Sequence, residues 1–455
     1  MISQREKQRL RDLDRSIVWH PFTQMQDYAK EEPLIISKGQ GVYLEDVDGR
    51  KYLDGYASVW CNVHGHRVPQ IDQAIKDQLD QIAHSTFLGA SNIPAIRLAE
   101  KLVQVTPRGL EKVFFSDNGA TAVEIAIKMA FQYWQQCSVP RPEKSTFMHL
   151  TESYHGDTLG SVSVGGIAHF HHVYHPLLFP TLAVPVPHAY RCEHCLGSCN
   201  QTCFNVLEKA LSQHADQLAA LIIEPLVQGA GGMLMHPPGY LKHAADLCKK
   251  HDVLLIVDEV ATGFGRTGKM FACDHEQVTP DILCVGKGLT GGYLPVAATL
   301  ATTEIFNAFL GDYHEMKTFF HGHTYTGNPL GCAAALATLD LFDTEQTLER
   351  LQPKIACLAE HLVRFNDLAH VGQIRQTGFI VAIELVAEKK NKTPYPFQAR
   401  IGHRVCKVAQ ERGLLMRPLI NTLALLPPFA ITEDEIGQML DIVYLAIREV
   451  TESGR

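Results

Sequence analysis

A lysine flanked by two glycines is the residue with the clearest chemical potential in this 455-residue chain. Lys287 follows an apolar run, 282–285, and stands between Gly286 and Gly288. Glycine on both sides lets the backbone turn tightly at the end of a strand, so that the amine can reach into a cleft. A partly desolvated amine held there can attack an aldehyde. A solvated turn lysine is the other interpretation, and an isolated Gly-Lys-Gly favours it.

Two carboxylates follow apolar runs further upstream. Glu224 comes after the run 221–223 and Asp258 after the run 254–257, with a helical pattern over 238–250 between them. Alternating helices and continuous apolar strands predict a buried, mainly parallel sheet with a crevice at its carboxyl edge. We therefore expect Glu224, Asp258 and Lys287 to converge on one site.

A small-residue turn between a strand and a long helix could bind a phosphate. The run 113–115 is followed by Ser116-Asp-Asn-Gly-Ala120, and a helical stripe begins there. Backbone N–H groups and the positive end of the helix dipole favour an anion at such a place. An ordinary helix start capped by Asp117 or Asn118 is an equally good interpretation.

These positions together meet the needs of an aldehyde cofactor with a ring nitrogen and a phosphate. Lys287 would hold the aldehyde, Asp258 would keep the ring nitrogen protonated, and the 119–120 backbone would bind the phosphate. Tyr154 would cover one face of the ring and Val260 the other. Tyr154 alone could equally belong to a turn.

Two arginines have both a functional and a structural interpretation. Arg417 follows an apolar segment, where its guanidinium could bind a substrate carboxylate through two hydrogen bonds. Arg266, in a glycine-rich segment, could do the same. Either could instead form an ion pair on the surface, which contributes little.

The composition excludes several other classes of protein. A formal charge of -8 without basic runs argues against a nucleic-acid partner, and no apolar stretch reaches the length of a membrane span. The polar start, residues 1–15, has no apolar secretory segment, so we expect a cytoplasmic protein. Twelve cysteines in this length predict buried thiols and not a disulfide scaffold.

One group of cysteines is a candidate metal site. Cys192, Cys195, Cys199 and Cys203 fall within twelve residues, close to His188 and His194. Four thiols could bind structural zinc. The compact spacing lacks the separated pairs of zinc ribbons and differs from the ferredoxin run, so plain thiols are the alternative.

The length of the chain is typical of two or three structural units of domain size. We expect an N-terminal segment, 1–65, that joins the small domain, a large domain over 66–340, and a small α+β domain over 341–455. Strands are expected near 34–36 and 42–46, with a turn at Asp48-Gly49.

The motifs resemble those of the class III pyridoxal-phosphate aminotransferases of fold type I. The resemblance lies in Asp258-Glu-Val-Ala-Thr-Gly-Phe-Gly-Arg-Thr-Gly, Pro280-Asp-Ile-Leu and Gly286-Lys-Gly-Leu-Thr-Gly-Gly, and extends over nearly the whole chain. Three further segments resemble the 7,8-diaminononanoate synthases of biotin biosynthesis, which aminate 8-amino-7-oxononanoate. These are Trp19-His-Pro-Phe-Thr-Gln-Met25, Tyr154-His-Gly-Asp157 and His321-Gly-His-Thr-Tyr-Thr-Gly-Asn-Pro329.

The resemblance implies roles for individual residues. It makes Lys287 the Schiff-base lysine, sets Asp258 on the pyridine nitrogen and stacks Tyr154 on the ring. It also implies a homodimer, in which the loop from the partner subunit completes the phosphate site. The implied ligands of pyridoxal 5′-phosphate are Gly119, Ala120, Tyr154, Asp258, Val260, Lys287, His323 and Thr324. The implied substrate contacts are Phe22, Trp60, Tyr154, Lys287, Gly322 and Arg417.

Two departures from the subfamily bear on the amino donor. Members that use S-adenosylmethionine commonly have tyrosine where this chain has Phe22, and tend to have tyrosine at the position of Ala424. A site that lacks a hydroxyl loses the hydrogen bond that the hydroxyl would make. We therefore favour lysine over S-adenosylmethionine as the donor.

Other functions are compatible with part of the pattern. Another class III enzyme, such as an ω-amino acid:pyruvate aminotransferase or an aminomutase, would use the same Lys287 and Asp258. A non-catalytic cofactor carrier or a zinc-dependent assembly module would not require Tyr154, Asp258 and Arg417 together.

Overall fold

The computed structural model describes residues 2–192, 199 and 201–452. The helices are α1 (Gln4–Ile17), α2 (Met25–Tyr28), α3 (Ala57–Trp60), α4 (Pro69–Leu79), α5 (Ile93–Val105), α6 (Gly119–Gln136), α7 (Leu159–Ser163), α8 (Ala168–His171), α9 (Thr202–His214), α10 (Tyr240–Lys250), α11 (Thr303–Asn307), α12 (Pro329–Thr344), α13 (Thr347–Leu362), α14 (Ile401–Glu411) and α15 (Glu433–Glu452). The strands are β1 (Ile36–Gln40), β2 (Tyr43–Asp46), β3 (Lys51–Asp54), β4 (Leu110–Ser116), β5 (Thr146–Leu150), β6 (Thr181–Val184), β7 (Leu218–Ile223), β8 (Val227–Gln228), β9 (Leu234–Met235), β10 (Leu254–Asp258), β11 (Ile282–Val285), β12 (Ala297–Thr302), β13 (Val371–Thr377), β14 (Ile380–Glu388), β15 (Thr393–Pro394), β16 (Leu414–Leu415), β17 (Arg417–Leu419) and β18 (Thr422–Leu425).

A seven-stranded sheet in the order β4-β12-β11-β10-β7-β5-β6 forms the centre of the fold. β12 runs antiparallel to both of its neighbours, and the pairings among β11, β10, β7, β5 and β6 are parallel. Every residue of β7, β10 and β11 is buried, because helices cover both faces. The predicted mostly parallel α/β sheet is confirmed.

Helix α6 packs against this sheet through small and branched residues. Ala122, Val123 and Ala126 are fully buried and belong to the same apolar cluster as Ile256 and Cys284 of the central strands. Residues at three- and four-residue spacing lie on one face of a helix, so this stripe holds the start of α6 at the carboxyl edge of the sheet.

Two smaller sheets complete the fold. β13, β14, β18 and β17 form an antiparallel sheet to which β15 adds, and α13, α14 and α15 pack near it. In the other sheet, β1-β2-β3-β16, the N-terminal strand β3 pairs in parallel with β16, which joins Leu53 to Leu414. The domain boundaries at 65 and 340 stay predictions.

The N-terminal strands differ slightly from expectation. The ladder of β1 begins at Ile36, opposite Asp46, and not at Leu34. The predicted turn at Asp48-Gly49 is present, with Gly49 at φ +86° and the Asp48 N–H donating to Asp46 Oδ1 at 2.9 Å. Local apolar character located the strand, but the pairing partner set its limits.

Candidate active site

A cavity of about 1710 Å³ opens at the carboxyl edge of the central sheet. Many of the side chains singled out in the sequence line it: Phe22, Trp60, Gly119, Ala120, Tyr154, Glu224, Asp258, Val260, Lys287 and Arg417. Adjacent parallel strands β7, β10 and β11 end side by side there and deliver Glu224, Asp258 and Lys287. The amine and the two carboxylates therefore face one cavity.

Lys287 begins a short 3₁₀ turn directly after β11, with φ at +42°. Its Nζ lies 4.8 Å from the centroid of the Trp60 ring. Burial lowers the pKa of the Lys287 amine, and the nearby charges of Asp258 and Glu224 oppose that shift only in part. A lowered pKa increases the fraction of neutral amine, the form that attacks an aldehyde or takes up a proton.

Asp258 is fixed from two sides. Its Oδ2 lies 2.7 Å from His155 Nδ1, and its Oδ1 accepts the N–H of Val260 at 3.0 Å. Both side chains are buried. With Nδ1–H donating to the carboxylate, the imidazole orients Asp258. No pattern in the sequence predicted a role for His155, although it stands next to Tyr154 in one of the motifs.

Glu224 connects two walls of the cavity. Its Oε1 accepts the backbone N–H of Tyr154 at 3.0 Å and its Oε2 that of Gly229 at 2.8 Å. Burial raises the pKa of the Glu224 carboxyl to about 7, partly offset by His155, and Asp258 adds to the rise. The carboxyl thus holds both loops in place and changes charge near neutral pH.

This raised pKa predicts a pH-dependent stability. The folded chain binds the Glu224 proton more tightly than the unfolded chain does. The protonated carboxyl therefore adds its full amount to the free energy of unfolding below the pKa of an ordinary glutamate, and this addition is lost as pH rises towards 7. Between pH 5 and pH 8 the unsubstituted protein should lose up to roughly 3 kcal/mol of unfolding free energy through this group. Glu224→Gln has no carboxyl to titrate there, so its stability should rise by that amount relative to the unsubstituted protein. Urea unfolding of cofactor-free protein measures this difference.

The substitution should also lower the free energy of unfolding of Glu224→Gln by an amount that does not depend on pH, because glutamine places an N–H₂ group against one of the two backbone donors. The pH-dependent difference is superimposed on this constant one. The exposed Glu360→Gln is the control and should follow the unsubstituted protein. Parallel curves for Glu224→Gln and the unsubstituted protein would contradict the raised pKa.

The start of α6 leaves room for an anion. Asn118 caps the helix through Oδ1, which accepts the Thr121 N–H at 3.0 Å, and the phosphate role of the turn stays a prediction. Gly119 and Ala120 follow at the first helical positions, whose N–H groups have no acceptor within a helix. A Cβ on Gly119 would lie 2.5 Å from Val260 Cγ1, so only glycine fits against the Val260 wall.

Tyr154 is held by hydrogen bonds at both ends. Its backbone N–H donates to Glu224, and its phenol donates to Asp157 Oδ2 at 2.7 Å. Burial and the Asp157 carboxylate raise the pKa of the Tyr154 phenol, so it stays protonated. The ring also stacks on His171 with centroids 6.1 Å apart. Its role as the cover of a cofactor ring stays a prediction.

The two arginines have different environments. Arg417 is exposed on β17, lines the cavity, and has its Cζ 6.0 Å from the Phe22 ring. Arg266 is buried and donates to the carbonyls of Leu426, Pro427, Trp60 and Asn62. Arg417 thus remains the candidate for a substrate carboxylate, and Arg266 ties chain segments together.

The loop around Thr324 lies outside the wall of this cavity. Gly322 and Thr324 are exposed, and His323 Nδ1 lies 2.7 Å from Oδ2 of Asp117, which does line the cavity. Within one chain, none of Gly322, His323 and Thr324 lines the cavity, and His323 contacts it only through Asp117.

The predicted metal site at Cys192, Cys195, Cys199 and Cys203 lies partly outside the described residues. Cys195 falls outside the described residues, as does His194. Where the chain is described, no cluster of three or more potential ligands could hold a metal ion. The same residues include no helix of the length and apolarity needed to cross a membrane.

The cavity fits a pyridoxal phosphate group in three independent respects. It offers a lysine amine of lowered pKa, a carboxylate fixed by His155, and a helix start with a steric requirement for glycine. These are the groups that would hold an aldehyde, a protonated ring nitrogen and a phosphate.

Comparison with known proteins agrees with this geometry. The family described as Aminotransferase class-III matches residues 25–447. A relative from Geobacter sulfurreducens, named adenosylmethionine-8-amino-7-oxononanoate aminotransferase, is 52% identical over 98% of this chain and 99% of its own. A relative from Helicobacter pylori with the same name is 38% identical over 94% of this chain and 95% of its own.

Solved structures give the same result. The crystal structure of adenosylmethionine-8-amino-7-oxononanoate aminotransferase from Methanocaldococcus jannaschii has a TM-score of 0.92 at 48% identity, covering 98% of this chain and 99% of that one. An ω-transaminase from Pseudomonas jessenii, in complex with PMP, has a TM-score of 0.92 at 31% identity, covering 97% and 98%. The chain belongs to the class III aminotransferases and is a pyridoxal-phosphate-dependent aminotransferase of fold type I.

Proposed function

We propose that the chain transfers an amino group to 8-amino-7-oxononanoate and forms 7,8-diaminononanoate for biotin synthesis. The observation that carries the proposal is the presence of Arg417 in the same cavity as Lys287. The substrate has a carboxylate at one end and the reacting ketone near the other. A guanidinium can bind that carboxylate through two hydrogen bonds while the ketone lies near the amine. The names of the relatives support this substrate.

Different residues of the cavity have different proposed roles in the reaction. When bound, pyridoxal phosphate supplies an aldehyde and a ring that accepts electrons. Lys287 would hold the cofactor through its amine, and the free Nζ would move the proton at the substrate carbon. Asp258, oriented by His155, would keep the ring nitrogen protonated. Trp60 and Tyr154 line the cavity and would border the substrate, and the 119–120 amides would bind the phosphate.

The proposal predicts a half-reaction that other class III enzymes would not share. Purified protein in its amine form should return to the aldehyde form when 8-amino-7-oxononanoate is added, which the cofactor absorption reports. An ω-amino acid aminotransferase would respond to pyruvate and not to this oxo acid. Conversion by pyruvate alone would contradict the proposed substrate.

The amino donor is proposed to be lysine. Both positions that depart from the S-adenosylmethionine pattern lie beside Arg417: the Phe22 ring is 6.0 Å from its Cζ, and Ala424 is its cross-strand partner on β18. Ala424 is buried, and Phe22 is exposed to the cavity. No hydroxyl is present at either position to meet a donor. The relatives are named for adenosylmethionine, so a direct comparison of the two donors decides between them.

Adding the hydroxyl should shift donor preference. Phe22→Tyr is expected to increase the single-turnover rate with S-adenosylmethionine relative to lysine by about tenfold, the effect of one specific hydrogen bond. Phe397→Tyr is a matched control, since Phe397 lines the same cavity and is 56% exposed compared with 55% for Phe22. Turnover of the unsubstituted protein with S-adenosylmethionine but none with lysine would overturn the donor proposal.

We also propose a homodimer in the cytoplasm. Thr324 and Gly322 are exposed outside their own cavity, and the apolar side chains of Leu88, Phe320 and Tyr325 are exposed in the same chain. A second copy would cover apolar surface of this kind and receive the loop in its phosphate site. Buried thiols such as Cys248, Cys273 and Cys284 form no disulfides, which fits a reducing compartment. Sedimentation of the holoenzyme tests the dimer.

A further inference from the structure

Four consecutive residues of helix α3 have left-handed backbone conformations although none of them is glycine. The φ angles from Ala57 to Trp60 are +48°, +49°, +66° and +72°. Each L-residue there brings its Cβ close to a backbone carbonyl, and Val59 is additionally β-branched. Such a run persists only where the surroundings hold it, and strained segments of this kind concentrate at functional sites.

The left-handed turn places the Trp60 ring beside the reactive amine. Lys287 Nζ lies 4.8 Å from the ring centroid. On another side, a Cβ on Gly229 would lie 3.1 Å from the indole Cζ3, so the ring has little freedom to shift. Ser58 and Val59 of the same turn also line the cavity. The conformation of the turn therefore determines the shape of the cavity wall next to Lys287.

A buried carboxylate holds the N-terminal end of the turn. Asp54 is completely buried, and its Oδ1 accepts the Ser58 N–H at 3.1 Å while its Oδ2 accepts the Ser58 hydroxyl at 2.9 Å. His66 Nε2 lies 2.9 Å from the same Oδ2. Asn62 Nδ2 faces His66 Nδ1 at 2.8 Å, so Nδ1 accepts and Nε2–H donates to Asp54.

The opposite end of the turn is held by a positive charge. Arg266 donates to the carbonyl oxygens of Trp60 and Asn62 at 3.3 and 3.4 Å. The negative group thus meets the N–H end and the positive group the carbonyl end, as the partial charges of a helical turn require. Asp54 is not in contact with the cavity, so any effect that it has on the reaction passes through the turn.

We propose that Asp54, supported by His66, is a positioning residue for the reaction. It holds the left-handed turn 57–60 and thereby sets Trp60 against the substrate beside Lys287. The kinetic consequence rests on the proposed function, whereas the geometry of the turn does not.

Asp54→Asn tests the proposal kinetically. Asparagine keeps the shape but turns one acceptor into a donor, so the charge-assisted hydrogen bonds to Ser58 and His66 are weakened. We expect the KM for 8-amino-7-oxononanoate to rise about tenfold, with kcat within about threefold and cofactor affinity unchanged, because only the substrate wall moves.

Glycine inside the turn should rescue the variant. Ala57 is buried outside the cavity wall, and Ala57→Gly removes the steric penalty at φ +48° without changing a cavity side chain. In the double variant Asp54→Asn/Ala57→Gly, at least about half of the increase in log KM caused by Asp54→Asn should be reversed. Asp46→Asn is the matched control, because Asp46 is also buried and caps a backbone turn through the N–H groups of Asp48 and Arg50. It should leave KM unchanged.

A measurement without substrate separates this proposal from the proposed function. In holoenzyme labelled with 5-fluorotryptophan, the Trp60 resonance, assigned with Trp60→Phe, should shift or broaden in Asp54→Asn and recover in the double variant. The resonances of Trp19 and Trp134 should not move. If unsubstituted protein fails to convert the oxo acid but the resonance behaves as described, only the substrate assignment is wrong. An unmoved Trp60 resonance in Asp54→Asn, or no recovery with glycine at 57, would overturn the positioning role.

Discussion

Lys287→Ala is expected to lower turnover by at least about a thousandfold and to abolish covalent attachment of the cofactor. The Lys287 amine has two proposed roles, as the point of cofactor attachment and as the group that moves the substrate proton. General acid–base catalysis by one side chain contributes about 10²–10⁴-fold in rate. Its lowered pKa, its contact with the Trp60 ring and the nearby charges of Asp258 and Glu224 suit it to both roles.

Borohydride reduction followed by peptide mass analysis measures the attachment. The unsubstituted holoenzyme should carry the cofactor mass on the peptide that contains residue 287, and Lys287→Ala should carry it nowhere. Methylamine should restore part of the turnover of the alanine variant, since it fits the space that the side chain leaves. Rescue by a small amine would show that proton transfer, and not folding, was lost.

A second half-buried lysine provides the control. Burial also lowers the pKa of Lys354, but its Nζ donates to the carbonyl of Phe429 outside the cavity wall. Lys354→Ala should retain both the labelled peptide and turnover. If the label remains in Lys287→Ala, the assignment of the attachment residue is wrong.

The groups that face one cavity could be predicted because a parallel sheet gathers the ends of its strands. Three continuous apolar runs, each followed by a polar residue, were enough to bring Glu224, Asp258 and Lys287 to one edge. The runs at 282–285 and 254–257 correspond to β11 and β10 because fully buried strands are short and apolar throughout. The family resemblance added residues that this rule cannot reach, such as Thr324.

The supports of the site could not be predicted, because they depend on contacts between distant segments. His155 bonds a residue 103 positions away, and Arg266 joins carbonyls more than 150 positions away in sequence on both sides. The run Ala57–Trp60 has no glycine, so local propensity argues against its left-handed conformation. Asp54, which is buried and bonded to the half-buried His66, holds one end of the turn and Arg266 the other, and nothing in the sequence indicates that these residues meet.

Asp258→Asn is expected to lower kcat by about 10²–10³-fold, as the removal of a preorganised charge in an active site does. Asparagine cannot hold a proton on a ring nitrogen as a carboxylate does, so the bound cofactor would be a poorer acceptor of electrons. Attachment at Lys287 should survive, because the amine and the phosphate turn are unchanged. The same peptide analysis should therefore find the label on the peptide containing residue 287 in this variant.

The hydrogen bond between Asp258 and His155 allows a stricter test of the role of Asp258, by comparing single and double variants. The Nδ1–Oδ2 contact of 2.7 Å makes Asp258 the hydrogen-bond partner of the imidazole, so we expect His155 to affect the reaction chiefly through Asp258. His155→Phe, which removes the donor, should cost kcat about tenfold by itself and almost nothing once Asp258 is already asparagine, since residues that act as a unit are non-additive. Independent, additive losses in the double variant would mean that His155 acts on the reaction by another route. Loss of the labelled peptide in Asp258→Asn would mean that the carboxylate serves to bind the cofactor and not to tune it.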